Sequence, residues 1–213
     1  MTIVAIDGPA GAGKSTVARL VAKEISVPYL DTGAMYRCVA LAVLHSEVDI
    51  SDVEAITQIA KRVHITVLDD KVCLNGHDVS AEIRSSEIGA IVSVIAAMTP
   101  VRDCMRSQQQ RWIAEQNGGV VEGRDIGTVV LPHADVKIFL TASAQERASR
   151  RVQQNGGDLI QVAKEIENRD RLDSTRHDSP LQPAKDAVHV DTTGLSINEV
   201  VHTIVSIVRT QQS

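Results

Sequence analysis

The chain has 213 residues, 43% of them hydrophobic, so it is long enough for one large domain with one or two insertions and too apolar to be disordered. Its net charge of −5 and its four aromatic residues count against a nucleic acid polymer or an anionic membrane as a partner, because both a basic surface and a base-stacking surface are missing. A core this poor in aromatic rings must be packed with Val, Ile, Leu and Ala, as in the buried parallel strands of α/β proteins.

The N-terminal residues follow the order strand, turn, helix, strand, helix. We predict strands over Thr2–Ile6 and Val27–Leu30, because both are short apolar runs. Apolar residues at helical spacing predict a helix over Ser15–Ile25, and a second helical run extends from about Ala34 to Leu44. This alternation is typical of βαβ units, in which the strands pair in parallel.

The same alternation returns in the second half of the chain. Three apolar segments separated by helical lengths predict further strands: Gly119–Glu122, Val136–Ala142 and Ala187–Asp191. Two capping boxes, Ser143 with Glu146 and Ser196 with Glu199, predict the starts of two later helices. We therefore expect an α/β fold with a parallel central sheet.

The stretch that begins near Ser51 interrupts this alternation. A capping box formed by Ser51 and Glu54 predicts the start of a helix. His64–Leu68 and Val72–Leu74 then predict an antiparallel hairpin. Because an antiparallel hairpin does not belong inside a parallel sheet, we expect this stretch to be an insertion.

Turn-forming residues occur in both predicted insertions. The hairpin is joined through Asp69-Asp70-Lys71 and followed by an Asn75-Gly76 turn, and a second, polar insertion contains a flexible Asn155-Gly156-Gly157. We find no internal repeat. The predicted core comprises residues 1–36, 99–146 and 177–213, and the predicted insertions comprise residues 37–98 and 147–176.

The segment between the first strand and the first helix matches the pattern G-x-x-x-x-G-K-[ST] in full. Its glycines allow successive backbone N–H groups to surround phosphate oxygens, and the following helix adds its positive end. Lys14 is expected to reach the transferred phosphoryl group, and the Ser15 hydroxyl to bind magnesium. The predicted ATP-binding residues are Gly8, Pro9, Ala10, Gly11, Ala12, Gly13, Lys14, Ser15 and Thr16.

Two further motifs follow strand ends, where ligands bind in open α/β sheets. Asp31-Thr32-Gly33-Ala34-Met35-Tyr36-Arg37 follows the second strand and offers a hydroxyl and a guanidinium to an anion, although Asp31 and Thr32 also suit a helix cap. Glu122-Gly123-Arg124-Asp125 follows the third strand, and its Arg and Asp suit either a ligand or a local ion pair.

The second insertion is rich in arginine. Arg outnumbers Lys by 15 to 7 in the chain, and six Arg fall between Arg147 and Arg176. Arg169, Asp173 and Arg176 have the spacing of one helical face, as do Arg147 and Arg151. Each set suits a solvated, salt-bridged surface, but together, opposite a phosphate loop, they predict a closing lid.

The cysteines and the N-terminal residues indicate the cellular compartment in which the protein is expected. Cys38, Cys73 and Cys104 are odd in number and form no disulfide or metal-binding pattern, which favours a reducing environment. The start MTIVAIDG shows no export signal, and no apolar run approaches the ~18 residues that span a membrane. We expect a cytoplasmic monomer.

Five blocks of this sequence, in their order and spacing, resemble the bacterial-type cytidylate kinases: IDGPAGAGKST, LDTGAMYR, VVEGRDIGTVV, IFLTAS-x-x-ERA-x-RR and RD-x-x-DS-x-R. The resemblance covers essentially the whole chain. It implies a three-layer P-loop kinase fold, in which residues 37–98 bind the nucleoside monophosphate and residues 147–176 form the lid. It also implies transfer of the γ-phosphoryl group of ATP, with Mg²⁺, to CMP and dCMP.

The resemblance further implies roles for individual residues. The implied catalytic residues are Lys14, Arg124, Arg147 and Arg151, and the implied metal ligand is Ser15. The implied acceptor-binding residues are Thr32, Tyr36, Arg37 and Arg124, with Ser93, Arg102, Asp125 and Arg176 for the cytosine base and Arg169 and Asp173 near the sugar.

The chemistry of such a reaction needs no dedicated base, because an acceptor phosphate with a second pKa near ~6 is already a nucleophile. Asp125 can accept from the 4-amino group of cytosine, whereas uracil would leave a buried carboxylate unpaired. Two alternatives stay open at this point. One is another P-loop kinase of small acceptors, of the UMP or shikimate type, and the other is a non-catalytic nucleotide-binding module. A GTPase is disfavoured, because the sequence has no N-K-x-D.

Overall fold

We describe the fold from a computed structural model, which covers residues 2–68 and 71–211. The chain divides into two compact units. The core unit is formed by the chain up to Tyr29 and from Gln116 onward, and the inserted unit by Leu30–Glu115. The functional boundaries predicted above, with an acceptor insertion at 37–98 and a lid at 147–176, remain predictions.

Strands and helices alternate in both halves of the chain. The strands are β1 Ile3–Asp7, β2 Tyr29–Asp31, β3 Ile65–Leu68, β4 Lys71–Leu74, β5 His77–Asp78, β6 Gly119–Gly123, β7 Val136–Thr141 and β8 Val188–Asp191. The helices are α1 Lys14–Glu24, α2 Thr32–His45, α3 Val53–Arg62, α4 Ser86–Ile95, α5 Thr99–Gln116, α6 Ala144–Asn155, α7 Leu159–Thr175 and α8 Ile197–Gln211. The predicted strands of the central sheet and the first two helices are confirmed, with small shifts at their ends.

The central sheet has five strands in the order β2-β6-β1-β7-β8, of which β1, β6, β7 and β8 lie wholly in the core unit. β1 lies in the middle and pairs in parallel with β6 and β7, with Asp7 opposite both Gly123 and Phe139. β8 pairs in parallel with β7, so that Thr141 lies opposite Asp191. The carboxyl ends of these strands therefore meet at one edge of the sheet, which confirms the predicted α/β fold with a parallel central sheet.

The core of this unit is aliphatic, as the composition predicts. Side chains of β1, α1 and α8, such as Ile6, Val21 and Ile204, are fully buried in one cluster. Tyr29 is the one aromatic residue among the buried members of that cluster in the described chain. Each fully buried aliphatic side chain contributes about 1.5–3 kcal/mol, so the cluster fixes α1 against the sheet and with it the start of that helix.

Two helix starts of the core unit test the predicted capping boxes. Ser196 and Glu199 form a complete box, in which the Ser196 Oγ accepts from the Glu199 N–H at 3.3 Å and the Glu199 carboxylate accepts from the Ser196 N–H at 2.8 Å. Ser143 accepts from the Glu146 N–H at 3.2 Å, which forms half of the second box. The Glu146 carboxylate accepts instead from Arg150, at 3.1 Å, so the reciprocal half is not formed among the described residues.

The arginine-rich segment folds as α6 and α7. Their inner faces meet in a small apolar cluster of Ala148 and Ile166, which also contains Ala10 of the glycine-rich loop. α7 ends at Thr175, and Arg176 has an extended backbone with φ −63° and ψ 142°. The prediction that Arg176 lies on one helical face with Arg169 and Asp173 is therefore wrong at its last member.

The inserted unit contains a separate antiparallel sheet in the order β3-β4-β5. The predicted hairpin is confirmed by the pairing of β3 with β4, while Asp69 and Asp70 of its predicted connection lie outside the described residues. The Asn75-Gly76 turn has positive φ at both residues, 51° and 85°, and leads into β5. β5 was not predicted from the sequence, because its two residues are both polar.

The helix α3 begins at a different residue from the one predicted. Its N-cap is Asp52, whose carboxylate accepts from the Ala55 N–H at 2.9 Å. The N–H and hydroxyl of Ser51 donate to Asp49, at 2.8 and 2.7 Å. The predicted capping box of Ser51 and Glu54 is therefore wrong, since the side chain of Ser51 is held by the turn that precedes the helix.

The helix α4 is apolar, and it is followed by the longer and more polar helix α5. α4 is capped by Ser85 and buries Ile88, Val92 and Ile95. In the part of the chain that the structure describes, a membrane-spanning length of apolar residues occurs in no single helix. Taken together, α4 and α5 reach that length and composition, with a bend of 99° at the break between them.

Candidate active site

The glycine-rich loop joins the end of β1 to the start of α1. Gly8 has φ +151°, and a Cβ at this position would lie 2.1 Å from the carbonyl oxygen of Leu140, so only glycine fits there. Gly13 precedes α1 in the left-handed conformation, with φ 88°, and no side chain of the described residues caps the helix. The first N–H groups of α1 are thus left for a ligand, and together with the helix dipole they favour an anion such as phosphate.

Lys14 is the one cation of the loop from Gly8 to Thr16, and it is buried. Its side chain is 6% exposed, and its Nζ donates to the carbonyl of Pro9 at 2.8 Å. Burial, followed by the positive charge of Arg124, lowers the pKa of Lys14 to about 7, and the nearby Glu122 opposes this shift. An arriving triphosphate would restore the charged form of this amine, because an opposite charge raises the pKa of a lysine.

Glu122 is buried at the end of β6. Its Oε1 accepts from the hydroxyl of Tyr29 at 2.7 Å. Glu122 was not predicted from the sequence as a site residue. Its negative charge stabilises the charged form of Lys14, so it contributes to the electrostatics of the loop.

Asp7 ends β1 and was not predicted as a site residue. Its two carboxylate oxygens accept from the N–H groups of Ile126 and Gly127, both at 2.8 Å. Burial raises the pKa of Asp7 to about 6, against the effect of these two hydrogen bonds. The contact fixes the beginning of the π-helical turn Ile126–Val130, which follows directly on Arg124-Asp125.

Four of the predicted acceptor-binding residues form one ionic network in the core unit. Arg124 Nε lies 2.9 Å from Asp173 Oδ2, and the other Asp173 oxygen lies 3.8 Å from Arg176 Nη1. Arg176 Nη2 lies 3.6 Å from Asp125 Oδ1, and both of these side chains are 6% exposed. The network alternates in charge and is largely desolvated, so removal of one member leaves its neighbours uncompensated.

Arg169 of α7 belongs to the same surroundings. Its positive charge is among the causes that lower the pKa of Lys14, together with that of Arg124. Three cations therefore share one region with the carboxylates of Glu122 and Asp173. Such a site is suited to a polyanionic ligand.

The arginines of α6 differ from one another in their contacts. Arg147 donates from Nε to the carbonyl of Ala142 at 3.2 Å and from Nη1 to the carbonyl of Ala10 at 3.0 Å, and it pairs with Asp170. Arg151 makes no hydrogen bond or ion pair within residues 2–68 and 71–211. These contacts hold Arg147 against the glycine-rich loop and leave Arg151 available for another group.

Arg150, between these two, was missed by the sequence analysis. Its Nη1 and Nη2 donate to the hydroxyl and the carbonyl of Thr192, both at 2.9 Å. A Cβ on Gly13 would lie 3.6 Å from its Nη1, so this guanidinium lies beside the last glycine of the loop. The adjacent arginines Arg150 and Arg151 in α6 could have indicated a functional role for Arg150. Its partner Thr192, however, is 42 positions away in sequence.

The remaining predicted acceptor residues lie in the inserted unit. Thr32 is the first residue of α2, and Asp31 caps that helix by accepting from the Ala34 N–H at 2.9 Å, which confirms the capping alternative for Asp31. The Arg102 guanidinium lies 5.5 Å from the centroid of the Tyr36 ring.

Two contacts hold arginines of this unit to backbone carbonyls. Arg102 Nη1 donates to Ala96 at 3.0 Å, and Arg37 Nη1 donates to Ile83 at 2.9 Å. Ser93 is half-buried on α4. The roles predicted for these residues remain predictions.

The predicted magnesium ligand can be tested against the donors present. Among the described residues, no three His, Cys, Asp or Glu side chains cluster in a way that could hold a metal ion. Mg²⁺ at phosphate-transfer sites keeps several waters and binds one or two protein oxygens together with the substrate phosphates. The exposed hydroxyl of Ser15, in the first turn of α1, fits that limited role.

Comparisons with known proteins give the family. The cytidylate kinase family model matches residues 4–210. A curated cytidylate kinase from Desulforamulus reducens is 51% identical, with 95% of each chain covered. The cytidylate kinase of Limosilactobacillus reuteri is 49% identical, covering 98% of this chain and 96% of the relative, and that of Bacillus cereus is 50% identical, covering 96% and 95%.

Solved structures agree on the fold. A gluconokinase from Sinorhizobium meliloti 1021 superposes with a TM-score of 0.52 at 13% identity, covering 98% of this chain and 92% of that one. An uncharacterized protein from Eubacterium ventriosum gives a TM-score of 0.59 at 12% identity, with 98% of both chains covered. Since the family model spans nearly all of the sequence and the curated relatives are about half identical to it, this chain belongs to the cytidylate kinase family.

Proposed function

We propose that this chain is a nucleoside monophosphate kinase that transfers the γ-phosphoryl group of ATP to CMP, and also to dCMP. The observation that carries the proposal is the likeness to proteins named cytidylate kinase at 49–51% identity over 95–98% of the chain. The site geometry supports it, because the core unit combines a phosphate-binding loop with a buried network of arginines and carboxylates.

The glycine-rich loop is the proposed site for the ATP phosphates. The residues from Gly8 to Thr16 surround the β- and γ-phosphates with backbone N–H groups, and Lys14 neutralises charge on the transferred group. Ser15 would hold Mg²⁺, which would offset the charge that develops on the phosphate oxygens during transfer. Arg147 and Arg151 of α6 are the proposed lid arginines for ATP.

The ionic network is the proposed site for the acceptor. Arg124 binds the acceptor phosphate, Arg169 and Asp173 lie near the sugar, and Asp125 with Arg176 recognises cytosine. Asp125 accepts a hydrogen bond from the 4-amino group, whereas uracil presents an oxygen there and leaves the carboxylate unpaired. From the inserted unit, the proposed contributors are Thr32, Tyr36, Arg37, Ser93 and Arg102.

Catalysis in this proposal depends on alignment and charge neutralisation. The acceptor phosphate is itself the nucleophile, so no side chain needs to remove a proton from it. Lys14 and the arginines stabilise the charge on the transferred phosphoryl group. Residues 147–176 act as a lid that excludes water, since water is a competing acceptor.

The proposed setting is a monomer in the cytoplasm, with ATP and CMP as its partners and with neither a nucleic acid polymer nor a membrane. Size-exclusion chromatography with light scattering checks the monomer, and fractionation of cells checks the compartment. A dimer, or recovery with membranes, would contradict that part of the proposal.

The substrate is tested by measuring ADP release with purified protein, ATP and Mg²⁺. CMP, dCMP, UMP, AMP and shikimate are compared as acceptors. We expect CMP and dCMP to give the highest kcat/KM. Preference for UMP, AMP or shikimate would refute the acceptor, and turnover of none would support a nucleotide-binding module. Lys14→Ala is expected to lower kcat by at least about a hundredfold with little change in CMP binding.

A further inference from the structure

A carboxylate of α7 contacts both the glycine-rich loop and an arginine of α6. Asp170 Oδ1 accepts from the backbone N–H of Ala10 at 3.0 Å. Its other oxygen, Oδ2, accepts from Nη1 of Arg147. One side chain thus joins the loop backbone to a guanidinium of α6, across 160 positions of sequence in the first contact and 23 in the second.

Asp170 and the loop hold Arg147 from several sides. Nη1 contacts both Asp170 and the carbonyl of Ala10, and Nε contacts the carbonyl of Ala142. Nη2 makes no hydrogen bond with any of the described residues. The guanidinium is therefore fixed through two of its nitrogens, and the third remains able to donate to a ligand.

Apolar side chains of α6, α7 and the loop pack together near this contact. Ala10, Ala148 and Ile166 form an apolar cluster, with Val162 and Ala163 packed against it. A Cβ on Gly11 would lie 3.0 Å from the Arg147 Cβ, so the loop and α6 are in direct contact. The Arg147 and Asp170 side chains are 13% and 19% exposed, which strengthens their attraction relative to a surface pair.

We propose that Asp170 is a positioning residue for ATP. It acts through Arg147 and through the Ala10 peptide, because it holds both in one arrangement and keeps Nη2 of Arg147 available to a phosphate oxygen. The proposal rests on the proposed use of ATP by this chain. It does not depend on which nucleotide is the acceptor.

The substitution D170N separates the two contacts. An asparagine oxygen can still accept from the Ala10 N–H, but its amide group is a donor and cannot accept from Arg147. The matched control is E167Q, which removes the same charge from an exposed position of the same helix. Affinity for MgATP and for CMP is measured separately by isothermal titration calorimetry, and melting temperature reports folding.

We expect D170N to bind MgATP roughly tenfold more weakly, since a charge-assisted hydrogen bond to its arginine is lost, and to bind CMP as the wild type does. E167Q is expected to match the wild type for both ligands. Equal weakening by E167Q would show that net charge alone is responsible, and unchanged MgATP affinity in D170N would overturn the proposal.

A double-mutant cycle tests whether Asp170 acts through Arg147. In an R147A background, D170N is expected to cost little further MgATP affinity, so the two effects should be far from additive. Full additivity would contradict the positioning role. A structural role alone would lower the affinity for both ligands together with the melting temperature.

A second variant carries the test if D170N fails to fold. R147K keeps the positive charge but cannot contact Ala10, Ala142 and Asp170 at once. It is expected to lose MgATP affinity while it keeps CMP affinity, and unaltered MgATP affinity would overturn the proposal. Because these are binding measurements, a wild type that binds MgATP but does not phosphorylate CMP would refute the proposed function alone.

Discussion

Arg124 donates from Nε to Oδ2 of Asp173 at 2.9 Å, and the two residues are 49 positions apart in sequence. Arg124 follows β6, whereas Asp173 lies near the end of α7. The contact therefore fastens the last turn of the arginine-rich segment to the edge of the sheet where the glycine-rich loop also lies. Its partners are 18% and 10% exposed, so the pair is largely shielded from water.

The substitution D173N tests how much this pair contributes to the stability of the folded protein. It leaves Arg124 and Arg176 without a full counter-charge in a desolvated place, so we expect the free energy of unfolding to fall by about 3–5 kcal/mol. The matched control is D103N, which breaks an exposed pair with Arg106 and is expected to cost at most about 1 kcal/mol. Urea denaturation of both variants measures the loss in the free energy of unfolding. Equal losses would show that the network contributes no more to stability than an exposed ion pair.

Base selection is tested at Asp125. D125A removes the carboxylate that we propose for the 4-amino group of cytosine, and we expect the ratio of kcat/KM for CMP over UMP to fall about tenfold or more. The ratio is measured with both acceptors at saturating ATP. An unaltered ratio would remove Asp125 from base recognition.

The pH dependence of stability is tested at Asp7. Its pKa is raised from 3.8 to about 6, so the folded protein holds this proton more tightly than the unfolded chain does. Stability from this group is therefore present below pH 3.8 and is lost as the pH rises toward 6. The loss is on the order of 3 kcal/mol. The neighbouring charges that act on Asp7 are those of Asp125 and Lys14.

Urea denaturation of the wild type and of D7N between about pH 4 and 7 measures this effect. We expect the wild type to lose stability relative to D7N as the pH rises. D49N supplies a control of opposite sign, because hydrogen bonds from Ser51 lower the pKa of Asp49, so stability from that group is lost as the pH falls. Parallel curves for the wild type and D7N would contradict the raised pKa.

The corrected start of α3 gives a prediction about helix capping. D52A removes the side chain that accepts from the Ala55 N–H, and we expect a loss of about 1 kcal/mol in the free energy of unfolding. S51A leaves that cap in place and is expected to cost less. Chemical denaturation compares the two, and a larger loss in S51A would restore the original assignment of the cap.

The sequence was a sufficient guide where the signal is local. Strand and helix periodicity located β1, β6 and β7, and the glycine-rich pattern located the loop between β1 and α1. The same is true of the Ser196–Glu199 box, whose partners are three residues apart. Each of these features depends on residues that are neighbours in the chain.

The features that the sequence analysis missed depend on distant partners or on competition between neighbours. Asp7 meets Ile126 across 119 positions, and Asp170 meets Ala10 across 160. No periodicity of a single sequence encodes such pairs. At α3, Ser51 and Asp52 are both good capping residues, and a hydrogen bond to Asp49 decides between them.

The place of β1 in the middle of the sheet has a consequence for biosynthesis. Its two neighbours are formed by Gly119–Gly123 and Val136–Thr141, so a nascent chain on the ribosome carries this apolar strand unpaired until more than half of the protein has been made. Residues 30–115, by contrast, are contiguous and are all synthesised before either neighbour of β1. During that interval the N-terminal strand lacks its partner strands, so its unpaired backbone and apolar side chains are open to association with other chains.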